Sequence, residues 1–144
     1  RLAKRLCGSC KEAYNPDGEE LKQFMNEYTT DLRQTEPWRK DPSGEAKKLY
    51  DYWLKEYGKD GKLSFMRAKG CDACGGSGYK GRVGLHELMI ASDPVKKLIQ
   101  EKARVADIFV MSVAEGMSTL KMDGMEKVMM GLTDMKQVRA VCIK

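Results

Sequence analysis

The chain has 144 residues, 42% of them hydrophobic and 33% charged, with a formal net charge of +5. That length holds one domain or two small ones, and the composition fits a soluble globular chain with a modest core. No signal peptide is expected, and the sequence has no apolar run near transmembrane length. The basic residues are interleaved with acids, so this mild charge describes a solvated surface and does not argue for nucleic acid. The chain starts at Arg1 rather than Met, inside what reads as continuing structure, and is expected to be a piece of a longer protein.

In chain order, a first Cys-x-x-Cys knuckle lies at Leu6–Cys10, and Asn15-Pro16-Asp17-Gly18 forms a turn. Asp17 followed by Glu20 predicts a helix start, and Leu21, Phe24, Met25 and Tyr28 follow helical spacing. From Glu36-Pro37 to Asp41-Pro42 a loop is predicted, since each proline disfavours helix at the residue before it. Ser43 then caps a stronger helix with Ala46, Leu49, Tyr50, Trp53, Leu54 and Tyr57 on one face. Gly58 and Asp60-Gly61 end it. Leu63–Ala68 is predicted as a strand leading into a second knuckle, and Arg82–Ile90 as another, with Val83, Leu85 and Met89 on one side.

After Ile90 the character changes. Asp93 and Pro94 open a helix carrying Val95, Leu98 and Ile99. A second helix runs from about Val105 to Glu115 and stops at Gly116. Ser118 caps a third that stops at Gly131, and Thr133 caps a fourth with Met135 and Val138 inward. Eight of the ten methionines follow residue 88. Their flexible thioethers suit either a small helical core or an adaptable partner groove, and core filling is the expectation. Trp38, Trp53 and the tyrosines of the Ser43 helix are expected as core or cap rather than as a ligand site.

The expected architecture is mainly α with a small β element. A cysteine-bearing part spans residues 1–90 with a helical insert at about 17–62, and a part of short helices spans 91–144.

Five cysteines are present, and four fall in the pairs Cys7/Cys10 and Cys71/Cys74. An odd count with four in knuckles favours a reducing compartment and a metal over a disulfide framework. Each knuckle offers two sulfurs, so the two pairs make the ligand set of a tetrahedral structural zinc site. Such a closed set leaves no open position for a substrate. Positions 11 to 70 separate the pairs, against the roughly 15–20 residues of a zinc ribbon. Closing the longer loop costs about 1 kcal/mol more. Structural zinc binding contributes on the order of 10–16 kcal/mol, so the length is no obstacle. A dithiol redox site would need one Cys-x-x-Cys on a thioredoxin-like strand and helix, and the second pair argues against it. Cys142 is the spare, expected as a small apolar side chain near the end of the last helix.

Gly76-Ser-Gly78-Tyr-Lys-Gly81-Arg-Val83 matches both the dinucleotide fingerprint and the kinase glycine loop. Its context fits neither, because a knuckle precedes it and a strand-like run follows. Nor is it a phosphate-binding loop, since Arg82-Val83 stands where Lys and Ser/Thr are required. A tight turn freeing backbone amides to face the sulfurs is expected instead. His86 is the lone histidine, and no carboxylate or nucleophile pairs with it in the sequence. It is expected to be structural.

Arg5-Leu6-Cys7-x-x-Cys10 and Gly70-Cys71-x-x-Cys74-Gly-Gly-Ser-Gly78-Tyr79-Lys80-Gly81-Arg82-Val-Gly84-Leu-His-Glu87-Leu88 together resemble one family. This is the C-terminal region of the type II secretion and type IV pilus assembly ATPases. Glu115-Gly116-Met117-x-x-Leu120, Asp123-Gly124-Met-x-Lys127-Val128, Gly131-Leu-Thr133 and Val138-Arg139 follow in the expected order. The resemblance covers both ends, and the segment from about Asp17 to Lys62 departs from it by its length. It implies a cytoplasmic hexameric motor, peripheral to the inner membrane through its partners. ATP and magnesium would bind upstream of this region, leaving the chain itself without catalytic residues. The implied metal ligands are Cys7, Cys10, Cys71 and Cys74. The implied partners are the upstream motor domain, neighbouring subunits and the inner-membrane platform, and no nucleic acid is expected. Two alternatives come from the second knuckle. Cys71-x-x-Cys74-x-Gly76-x-Gly78 also matches the zinc repeat of J-type co-chaperones, and Tyr79, Lys80 and Arg82 hint at a nucleic-acid-binding zinc ribbon.

Overall fold

The computed structural model describes residues 1–142. Strand β1 (Leu2–Leu6) leads into the first knuckle, and β2 (Glu12–Tyr14) leaves it. Helix α1 (Gly18–Tyr28), a 3-10 turn at Leu32–Gln34, α2 (Glu36–Lys40) and α3 (Pro42–Tyr57) follow. Strand β3 (Phe65–Arg67) then enters the second knuckle, and β4 (Tyr79–Gly84) leaves it. Four helices complete the chain: α4 (Asp93–Gln100), α5 (Val105–Ala114), α6 (Leu120–Met129) and α7 (Met135–Val141). The fold is mainly helical with a small β part, as expected. No helix among the described residues is long and apolar enough to cross a membrane.

The β part is two antiparallel ribbons. β1 pairs with β4, with Leu2 opposite Gly84, Ala3 opposite Val83 and Lys4 opposite Arg82. β2 pairs with β3, with Tyr14 opposite Phe65. Each ribbon therefore joins one knuckle to the other. β1 and β2 lie outside the sequence expectation, and β4 starts and ends earlier than the predicted Arg82–Ile90 strand. Only the first part of that run has a partner. Beyond Leu85 the chain leaves the ribbon: Leu85 is buried, whereas Leu88 and Ile90 are each 74% exposed.

The helix starts refine the predicted ones. Asp17 caps α1, its carboxylate accepting from the N–H of Glu20 at 2.8 Å. The predicted loop from Glu36 to Pro42 is instead α2 and the start of α3. Both prolines sit in a first helical turn, where a missing N–H costs nothing. Asp41, not Ser43, caps α3. Ser92 caps α4, Thr119 rather than Ser118 caps α6, and Asp134 rather than Thr133 caps α7. The buried Thr133 is freed for another task, since its hydroxyl donates to Lys4 O at 2.8 Å.

The core joins the insert to the C-terminal helices. Phe24 and Tyr28 of α1 meet Trp53 of α3 edge to face, with ring centroids 5.4 and 4.9 Å apart. Phe65 of β3 packs on Phe24, and this aromatic group closes on Met122, Met125, Val128 and Met129 of α6 and Val138 of α7. The buried methionines of α6 are thus core filling, as expected, while Met89 and Met130 stay exposed. α6 can approach closely because Gly124 has no side chain: a Cβ there would lie 2.8 Å from Val138 Cγ1 and 3.1 Å from Leu85 Cδ1.

Candidate metal centre

The two knuckles converge at the end of the β1–β4 ribbon. Cys7 N–H donates to Gly78 O at 2.9 Å, which locks the first knuckle to the glycine turn of the second. Cys7 Sγ lies 3.8 Å from Cys71 Sγ, Cys10 Sγ 3.9 Å from Cys74 Sγ, and Cys71 Sγ 3.8 Å from Cys74 Sγ. All four sulfurs fall within 4.8 Å of one another. A disulfide would need about 2.05 Å. A tetrahedral zinc with sulfur ligands at about 2.3 Å spaces neighbouring sulfurs by about 3.8 Å. The four sulfurs therefore stand at the spacing of an all-sulfur metal site, and the cluster can hold a metal ion.

The backbone supplies the donors expected around such sulfurs. Cys74 Sγ accepts from the N–H groups of Cys71 and Gly78, each at 3.2 Å, and Cys10 Sγ accepts from Gly70 N–H at 3.3 Å. Two glycines are required to aim these amides. Gly78 has φ +85 and Gly70 has φ +109. A Cβ on the first would stand 2.6 Å from Ala68 Cβ, and on the second 2.6 Å from Gly76 O. The glycine-rich stretch thus serves the sulfurs, as its sequence context indicated.

The four thiols are electrostatically unequal. The Cys71 amide, aided by that of Gly78, lowers the Cys74 thiol to about 6 against opposing burial. A hydrogen bond at the Ser9 backbone lowers Cys7, and burial opposes it without cancelling it. Burial raises Cys10 to about 11, with the neighbouring thiols adding to it. Metal ligation needs all four deprotonated, so a bound cation would supply the charge that Cys10 lacks.

A second layer ties the site to the C-terminal helices. Lys11 Nζ donates to Gly131 O at 2.9 Å, and Leu6 N–H donates to Leu132 O at 2.9 Å. The Tyr79 hydroxyl donates to the Asp134 carboxylate. These links bridge more than fifty residues of sequence, and nothing local in the sequence announces them. His86 stays outside the cluster. It is exposed, and its backbone N–H donates to Asp123 Oδ2 at 2.8 Å, which fits the structural role expected of it. Cys142 is half-buried at the end of α7 and also lies apart from the cluster.

Comparison with known proteins agrees with the motifs. A family model described as "Type II/IV secretion system protein" matches residues 1–140. The Type IV pilus assembly ATPase PilB of Thermus thermophilus is 29% identical over 144 residues, 100% of this chain and 13% of that protein. The Type II secretion system ATPase E of Vibrio cholerae is 29% identical over 141 residues, 98% of this chain and 22% of that protein. The Type IV pilus assembly ATPase PilB of Myxococcus xanthus is 35% identical over 80 residues, 56% of this chain and 14% of that protein. The first two matches run through residues 17–62 as well as the cysteine-bearing ends. The chain spans only 13% to 22% of the length of these relatives. Its sequence contains no Gly-x4-Gly-Lys-Ser/Thr nucleotide-binding motif. With motifs, order and extent in agreement, the chain belongs to the type II/IV secretion system protein family.

Proposed function

We propose that this chain is the zinc-binding, non-catalytic C-terminal region of a hexameric cytoplasmic ATPase that powers type II secretion or type IV pilus assembly. The observation that carries it is the family match over residues 1–140, together with relatives that are named ATPases. Cys7, Cys10, Cys71 and Cys74 are the zinc ligands. Sulfur spacing and backbone donors support this, and all-sulfur tetrahedral sets favour zinc among non-redox metals. Zinc supplies a structural cross-link here, holding residues 7–10 against the turn at 71–78.

The cysteine-bearing part, residues 1–90 with its insert at about 17–62, and the helical part, residues 91–144, are two regions of one accessory unit. They pack on the upstream motor domain and on neighbouring subunits, and the metal end faces the inner-membrane platform. ATP and magnesium bind in the upstream part of the parent protein.

Two measurements test the proposal. The purified chain should show no ATP turnover above buffer, whereas the parent should hydrolyse ATP and lose a large share of its rate or its hexamer when residues 91–144 are deleted. Turnover by the chain alone, or an unchanged rate and assembly after the deletion, would contradict it.

A further inference from the structure

The β1–β4 ribbon carries a charge arrangement that neither the fold nor the metal site requires. Its strands read Leu-Ala-Lys-Arg-Leu and Tyr-Lys-Gly-Arg-Val-Gly, with four cations and no acid. Lys4 stands directly opposite Arg82. Among the described residues neither has a carboxylate within salt-bridge distance. Like charges directly opposite each other destabilise a ribbon.

The hydrogen-bond alternation makes the placement worse. Leu85 N–H donates to Arg1 O at 2.7 Å and the Arg1 amino group to Leu85 O at 2.9 Å, so that pair is hydrogen-bonded. Alternation then makes Lys4/Arg82 and Leu2/Gly84 non-hydrogen-bonded pairs, the kind with the closest side chains. By the same alternation, the N–H and C=O groups of Arg82 and Gly84 point away from β1. Among the described residues β4 has no other strand partner, so these groups form a free sheet edge there. A shallow recess of about 320 Å³ is lined by Lys4 of β1 and by Ser77, Tyr79, Gly81 and Arg82.

We propose that this edge binds an extended acidic polypeptide segment of a partner protein. The segment adds as a strand on β4, its backbone pairing with Arg82 and Gly84, and its carboxylates neutralise Lys4 and Arg82 in the recess. Cations on an edge strand commonly serve only to prevent edge-to-edge pairing. One exposed cation does that; two placed opposite each other without an acid create a demand for an anion. A lipid headgroup or a nucleic-acid phosphate meets the charge but leaves the strand-shaped row of backbone groups unused, so a peptide fits better. This inference does not depend on the motor assignment.

The test uses a labelled peptide of about ten residues alternating Glu and Val, and the same peptide with Gln for Glu. Vesicles of phosphatidylglycerol and a single-stranded oligothymidine are the competing probes. The acidic peptide should bind the whole chain, weaken as salt is raised, and shift backbone amide resonances at residues 80–84. Lys4→Glu and Arg82→Glu should each weaken it at least about tenfold. Their metal content and circular dichroism should match the wild type. If Arg82→Glu fails to fold, Lys4→Glu carries the test alone. Equal binding of the Gln peptide, unaltered binding by the folded variants, or tighter binding of vesicles or oligothymidine than of the acidic peptide would overturn the proposal.

Discussion

The backbone N–H of Gly78 donates to Cys74 Sγ across 3.2 Å, and it does so from a left-handed backbone with φ +85. The turn and the sulfur position are therefore one structural fact. Gly78→Ala should be far more damaging than its size suggests. Its Cβ would meet Ala68 Cβ at 2.6 Å, in a conformation costly for any side chain. A loss of about 1–3 kcal/mol is expected, with faster metal loss to a chelator. Gly8→Ala, in the first knuckle, meets nothing within 4 Å and should fall within about 0.5 kcal/mol of wild type. Thermal melts of both variants with a chelator competition decide this.

Asp134 does two jobs. One carboxylate oxygen caps α7 at Gln137 N–H, 3.0 Å away, and the other accepts from Tyr79 next to the metal centre. Asp134→Ala should cost about 1–2 kcal/mol, mostly as a lost cap. Tyr79→Phe removes only the link and should cost about 0.5–1.5 kcal/mol. Because the two variants share one interaction, the double variant should cost less than the sum of the singles, which urea unfolding of all three will measure.

Glu27 predicts an acid-side loss of stability. Burial pushes its carboxyl up, but hydrogen bonds from Arg139 and Lys121 outweigh it and hold it below its ordinary 4.5. A depressed carboxylate stabilises the fold above its ordinary value and loses that contribution as pH falls through the lower folded value. The pair distances are 2.6 Å to Arg139 and 3.2 Å to Lys121, with both cations partly exposed, so screening limits the effect to about 1 kcal/mol or less. Glu27→Gln should remove this loss below pH 4.5. Glu126 behaves oppositely: burial raises it, so its proton is held longer in the folded state. Glu126→Gln should instead flatten the stability lost as pH rises above 4.5. Stability measured from pH 3 to 7 separates the two variants.

The four cysteines of the candidate metal centre were legible because cysteine spacing is a local signal. Asp17, the α1 face and the α3 face were legible for the same reason, as caps and helical periods lie within a few residues. β1 was not legible. Its hydrophobic alternation is interrupted by Lys4 and Arg5, and what makes it a strand is β4, more than seventy residues away. α2 was hidden by Pro37 and Pro42, which disfavour helix before them yet fit its first turn and that of α3. The shared core was hidden too. Helical spacing places Phe24 on an inward face and the methionines are expected in a core, but neither signal says that Phe24 and Met125 belong to the same cluster.

Cys7, Cys10, Cys71 and Cys74 together are proposed to hold one structural zinc. Elemental analysis of the chain, purified without chelator, tests it most directly. One zinc per chain is predicted, falling to near zero in Cys71→Ser and Cys74→Ser with a lower melting temperature. A zinc-free wild-type chain, or full zinc content in either serine variant, would contradict the claim.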